Sequence, residues 1–188
     1  MRKWKELYVS SFLELKNTRN LVLMAMFIAI AVVLGAFLTF MPLPSIKVSF
    51  VYLPMEFSNY LFGPVAGVIL GGITDLLVYF VRPNGPFFYG FTISAILSGL
   101  LYGSILYKRP VSLLRILVAN LINFVTINIL NTYWLTLLYG DAFLAILPFR
   151  LLKAAIFLPV ETLLLFSLIK AIEATGVIRQ LKRTEREV

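Results

Sequence analysis

Hydrophobic residues in this chain fall into six long runs parted by short polar or proline-bearing breaks. A run of about 20 apolar residues is what a membrane-crossing helix needs. The first run is Leu21 to about Met41, closed by Pro42 and Pro44. The second, about Val48 to Phe62, is short and carries Glu56, Ser58 and Asn59. Phe62-Gly63-Pro64 reads as a tight turn before the third, Val65 to about Val81. Arg82-Pro83-Asn84-Gly85-Pro86 is the next break. The fourth run is Phe87–Tyr107, the fifth about Leu113–Leu138 and the sixth about Phe149–Ile172, with Pro159 predicted to kink it. Tyr139 to Pro148 reads as a loop between the last two, either outside the membrane or dipping back into it.

The segment before the first run differs. Met1–Asn20 sets Arg2, Lys3, Lys5, Lys16 and Arg19 against Glu6 and Glu14, with Trp4, Tyr8, Val9, Phe12 and Leu13 at roughly helical intervals. This predicts a short amphipathic helix on the membrane surface; a disordered basic tail is the alternative. It does not read as a signal peptide, because the apolar run after it is too long and no small-residue cleavage site closes it.

Composition agrees with lipid as the solvent. Of 188 residues, 60% are hydrophobic and 14% charged, and mean hydropathy is +0.92. A soluble chain is about 45–50% apolar and about 25% charged. The fold expected is an all-α integral membrane protein: one domain over residues 1–188, with six transmembrane helices after the amphipathic segment (1–20) and before a charged tail (173–188). Cysteine and histidine are absent. That removes disulfides, thiolate nucleophiles, the usual general base and the commonest metal ligand.

The net charge of +8 comes from 17 Lys+Arg against 9 Asp+Glu. The bases collect at the ends of hydrophobic runs, which suits membrane orientation better than nucleic-acid binding. Six spans put both termini on one side. That side holds the N-terminal bases, Lys108, Arg109, Arg115 and the C-terminal cluster; the other holds Lys47, Arg82, Arg150 and Lys153. The positive-inside rule places both termini in the cytoplasm.

Ionisable groups inside a span cost about 2.5–3.5 kcal/mol each on insertion scales, so they point to function by default. Glu56, Asp75, Asn131 and Glu161 fall at depth, beneath the bases at an outward mouth. Glu161 has a second reading, as a partner of Lys153 or Arg150. Gly63, Gly67, Gly71 and Asp75 recur every four residues, a small-residue stripe that turns Asp75 into the bundle. Its carboxylate then serves either a ligand or a neighbouring helix. Ala95, Gly99 and Gly103 repeat the pattern and read as internal packing. On the first span Ala25 and Ala29 form either a packing face or a docking face for another membrane subunit.

Aromatic residues gather at the outer ends: Tyr79, Phe80, Phe87, Phe88, Tyr89 and Phe91 beside the Arg82–Pro86 break, and Tyr133, Trp134 and Tyr139 on the fifth span. Most suit an interfacial belt. The sharper reading is that a few rings stack on a ligand with a planar body and an anionic end, since bases stand beside them. Enzyme signatures are missing. Without histidine there is no zinc-protease pair and no Ser-His dyad, and the sequence holds no phosphate-loop motif. The reading is a binding subunit, not an enzyme, that takes its energy from partners and needs no cofactor.

Several stretches resemble the substrate-binding (S) components of energy-coupling factor vitamin transporters, most closely the folate group. They are Asn17-Thr18-Arg19 with the run Leu21–Ala29; Lys47-Val48-Ser49-Phe50; Leu53-Pro54; Phe62-Gly63-Pro64; Gly85–Thr92; Leu130–Leu135 with Leu138-Tyr139-Gly140; and Leu147–Arg150 with Lys153. The resemblance covers about Asn17–Ile172; Arg82-Pro83-Asn84 departs from it. It implies a prokaryotic multi-pass protein of the cell membrane that captures a vitamin from outside. It also implies partners, a transmembrane coupling subunit and two cytoplasmic ATPases, with Ala25 and Ala29 as the docking residues.

For folate, the resemblance and the residues suggest roles. Glu56, Asp75 or Asn131 would accept from the pterin edge. Lys47, Arg82 or Arg150 would neutralise the glutamate tail. Phe87, Phe88, Tyr89 and Trp134 would flank the rings. Pantothenate or riboflavin is the alternative vitamin, and a membrane scaffold or small enzyme the alternative class.

Overall fold

Asn17 starts the first long apolar helix: its side-chain oxygen accepts the Arg19 N–H at 2.9 Å and so satisfies one of the unpaired donors at the helix start. The computed structural model describes the backbone of residues 2–43, 46–83, 85–140 and 143–176. The elements are α1 (Arg2–Glu14), α2 (Thr18–Phe37), β1 (Thr39–Leu43), β2 (Ile46–Ser49), α3 (Tyr52–Val81), α4 (Tyr89–Leu106), α5 (Leu113–Tyr139) and α6 (Phe143–Ala174). Among the described residues, five helices are long and apolar enough to cross a membrane by length and composition: α2, α3, α4, α5 and, from Leu147, α6.

α3 is two helical limbs that meet at a sharp kink. Gly63 sits at φ 84° and ψ −170°, a backbone region that favours glycine, and Pro64 follows it. Beyond this point the chain doubles back. The Thr74 hydroxyl reaches the Met55 sulfur at 3.3 Å. A straight helix would hold two residues that far apart in sequence about 28 Å from each other. Asn59 faces Gly67 in the same way, close enough that a Cβ on Gly67 would meet Asn59 Oδ1 at 2.5 Å. α3 is therefore a helical hairpin with limbs 52–62 and 64–81, and the Phe62-Gly63-Pro64 turn is its apex.

The glycine stripes explain how the second limb meets α4. A Cβ on Gly67 would stand 2.5 Å from the Gly99 carbonyl oxygen, one on Gly71 would overlap the Ala95 carbonyl, and one on Gly103 would lie 2.5 Å from Pro64. Only hydrogen on these α-carbons lets the two backbones touch, the usual device for close helix contact in membranes. Phe57, Tyr60, Phe62, Leu70, Leu106 and Ile169 fill the core around this contact.

Two stretches differ from the sequence reading. Residues 39–43 and 46–49, in the stretch read as the end of one span, a break and the start of the next, pair instead as two antiparallel strands. Thr39 pairs with Ser49 and Phe40 with Val48, and the Thr39 hydroxyl donates to Ser49 Oγ at 2.9 Å. Pro42 cannot continue a helix, while Thr, Phe, Ile and Val suit a strand. The expected Tyr139–Pro148 loop is also shorter. α6 begins at Phe143 and runs through Pro148 and Pro159, because the apolar run reaches back past the first proline. Asp141 and Ala142 lie outside the described residues.

α1 packs on the apex end of the bundle. Ser11 is fully buried there, its hydroxyl donating to the Phe62 carbonyl at 2.7 Å and accepting the Val65 N–H at 3.0 Å. Glu14 accepts from the Tyr107 hydroxyl and from Asn20 Nδ2, each at 2.7 Å.

Candidate functional site

A cavity of about 280 Å³ opens between the α3 limbs, α4 and α5, beside the end of β2. The first limb contributes Tyr52, Met55, Glu56 and Asn59. The second contributes Gly71, Thr74, Asp75 and Val78. α4 adds Ala95, Ser98, Gly99 and Tyr102, and α5 adds Asn123. Glu56 and Asn59 are one helical turn apart, which puts both on the same face.

The chemistry of the wall is one-sided. Glu56 is 4% exposed and Asn59 2% exposed. Among the described residues, Glu56 Oε2, Asn59 Oδ1 and Asn123 Oδ1 are buried and have no hydrogen-bond partner. The Tyr102 hydroxyl donates to Asn120 Oδ1 at 3.0 Å and also stands within hydrogen-bonding reach of the Glu56 carboxyl and the Asn123 amide. Asn120 in turn donates to Thr162 Oγ1 at 2.9 Å, which ties α4, α5 and α6 together behind the cavity. Asp75 accepts from the Thr92 hydroxyl at 2.8 Å. Leaving a buried polar atom unpaired costs about 1–3 kcal/mol, more for a charged group. Several acceptor oxygens without donors around one void describe a site shaped for a ligand rich in N–H groups.

Of the candidate ligand-binding residues read from sequence, Glu56 and Asp75 line this cavity, and Arg82, Phe87, Phe88, Tyr89, Asn131, Trp134 and Arg150 do not. Asn131 and Trp134 stand further out on α5, with Asn131 two helical turns, about 12 Å, beyond Asn123. Among the described residues, Asn131 Oδ1 is buried without a partner, and so is Arg150 Nη1 on α6. Trp134 donates to Ser94 Oγ at 3.0 Å and packs on Phe88 with ring centroids 5.8 Å apart. Phe87 packs between Tyr79 and Tyr89, and Tyr89 is 75% exposed, as an interfacial ring would be. Arg82 Nη1 donates to the Ala36 carbonyl at 2.7 Å and the Thr39 carbonyl at 3.3 Å, so this guanidinium closes the C-terminal end of α2. Lys153 lies in electrostatic range of Glu161 and over the Phe157 ring at 5.6 Å. Lys47 is on β2, with its side chain outside the described residues. Ala25 and Ala29 are exposed on α2, whereas Ala31 and Gly35 of the same helix are buried.

Asn59, Tyr102 and Asn123 were missed as cavity residues. The available signal was an amide or hydroxyl within a span, with Asn59 one turn after Glu56.

The chain belongs to the family of substrate-specific components of ECF transporters, whose sequence pattern matches residues 19–175. It is thus a multi-pass membrane protein of a transporter family. It is 31% identical to the folate transporter FolT of Clostridium novyi over 170 residues, 90% of this chain and 98% of that protein. It is also 31% identical to the riboflavin transporter RibU of Staphylococcus aureus, over 70% of this chain and 72% of that one. The crystal structure of FolT bound with folic acid matches with a TM-score of 0.74 and 33% identity, covering 81% of this chain and 93% of that chain. The structure of the S component of a bacterial ECF transporter shares the fold at a TM-score of 0.65 and 24% identity, covering 84% and 96%.

Proposed function

We propose that this chain is the folate-binding membrane subunit of an ATP-driven importer. In this reading it crosses the cell membrane six times, the two limbs of α3 counting separately, with residues 1–20 and 173–188 in the cytoplasm. It captures folate from outside and releases it inward on a coupling module made of a transmembrane subunit and two ATPases. It carries no ATPase of its own.

The observation that carries the ligand is the unpartnered, buried carboxylate oxygen of Glu56, with two amide oxygens facing the same void. A pterin edge offers an amino group beside a ring N–H, two parallel donors that a carboxylate accepts together. Riboflavin offers one N–H between two carbonyl oxygens, so it would set acceptors against acceptors here. Pantothenate has no flat ring to stack on. With the pterin inward, the benzoyl group would run along Trp134 and Phe88, and the glutamate would reach toward Lys47 and Arg150. Asp75 would hold the cavity wall through Thr92 and remain within reach of the ring. Tight capture in the nanomolar range needs about −12 kcal/mol. Two charge-assisted bonds in a dry cavity, ring stacking and one neutralised carboxylate are of that order together.

The test is titration of the purified chain in detergent with folate, riboflavin and pantothenate, followed by calorimetry and tryptophan fluorescence. Folate is expected to bind in the nanomolar range and the others far more weakly. No binding heat with folate, or tighter binding of riboflavin, overturns the assignment.

A further inference from the structure

α1 has two faces with different duties. The inner one is fastened through Ser11 and Glu14 to the α3 apex, Tyr107 and Asn20. The outer one exposes Val9, Phe12 and Leu13, each more than half exposed. Lys5 and Lys16, also exposed, flank that strip, and the Lys16 ammonium stands over the Phe12 ring at 5.8 Å.

Three large apolar side chains on a 13-residue helix are poorly served by water. Apolar centres between lysines match the boundary where acyl chains give way to anionic headgroups. The level of the helix agrees. It is bonded to the apex of the α3 hairpin and to the end of α4, where the long apolar helices stop.

We propose that α1 is a lipid anchor, its outer face seated among anionic headgroups of the leaflet on the side of the α3 apex. Through Ser11 the anchored helix holds the turn of the hairpin that carries Glu56 and Asp75. The inference does not depend on which vitamin the cavity takes.

The chain has no cysteine, so Val9→Cys and, separately, Phe12→Cys each create a single site for a spin label. The full chain is reconstituted alone in phosphatidylcholine vesicles containing phosphatidylglycerol. Collision of the label with oxygen, which concentrates in lipid, is compared with collision with a water-soluble nickel chelate. At both positions oxygen accessibility is expected to exceed chelate accessibility several-fold. Lys5→Glu with Lys16→Glu, or omission of phosphatidylglycerol, is expected to raise chelate accessibility several-fold. A label open to the chelate overturns the anchor, because the face is then in water. An immobilised label shielded from both reagents overturns it in favour of a second copy covering the strip. Insertion that ignores both phosphatidylglycerol and the lysines overturns the role of anionic headgroups.

Discussion

The Ser11 hydroxyl accepts the Val65 N–H at 3.0 Å although the two residues belong to different helices. Val65 is in the first turn of the limb that starts after Gly63, where backbone N–H groups have no partner within the helix. Ser11 therefore caps this limb from outside it, and the same oxygen donates to Phe62 across the apex. Losing a cap costs about 0.5–2 kcal/mol, and near 190 residues each kcal/mol moves the melting temperature by about 2–4 °C. Ser11→Ala is expected to lower thermal stability by a few degrees in detergent. Ser11→Thr should recover part of the loss. An unchanged melting temperature for Ser11→Ala would show that the bond contributes nothing.

Adjacent glycines on α3 make a sharper contrast. A Cβ on Gly71 would overlap the Ala95 carbonyl, which is backbone and cannot step aside. One on Gly72 would meet only the Ile96 side chain at 3.3 Å. Gly71→Ala is expected to pry α3 from α4, with a loss of about 1–3 kcal/mol, and to distort the cavity that Gly71 lines. Gly72→Ala should express and melt close to the parent. Thermal unfolding of the two variants side by side checks this, and equal behaviour would mean that the α3–α4 backbone contact is not tight.

These contacts also mark what the sequence could and could not tell. The four-residue spacing of Gly67, Gly71 and Asp75 announces one helix face, and Phe62-Gly63-Pro64 announces a turn, because both are local patterns. Asp75 and Glu56 stand out because charge inside a span is expensive. Asn59 and Asn123 are neutral amides, which cost less inside a span and mark a site less strongly, and their convergence depends on how the hairpin folds back. Arg82 reads from sequence as a ligand base; its bonds to Ala36 at the end of α2 and to Thr39 at the start of β1 depend on how these segments meet, which the proline break does not announce.

Glu56 is the residue on which ligand choice turns in the proposed function. Glu56→Gln keeps the shape but replaces one acceptor with a donor, setting N–H against the N–H groups of the pterin. A hydrogen bond to a charged group contributes about 1.5–3 kcal/mol, so folate affinity is expected to fall by about 10- to 100-fold. Stability without ligand should hold or rise, since the charge on a buried carboxyl group with one unpartnered oxygen is removed. Calorimetry together with the melting temperature separates the two effects. Unchanged affinity in a folded variant would move the pterin edge away from Glu56.

Ala25 and Ala29 give a prediction in which binding and transport part company. Both are exposed on α2, away from the cavity and from the buried Ala31 and Gly35 that pack inward. Small residues on an outward helix face let a second helix come close in the membrane, and bulky ones forbid it. Ala25→Trp with Ala29→Trp is therefore expected to leave folate affinity in detergent within about twofold of the parent, well under the 1.4 kcal/mol that a tenfold change requires. Folate uptake by cells that also express a coupling subunit and its ATPases should be abolished, and the subunits should no longer co-purify. Lost folate binding would show that the alanines support the bundle itself. Full uptake with both tryptophans in place would put the docking face elsewhere on the molecule.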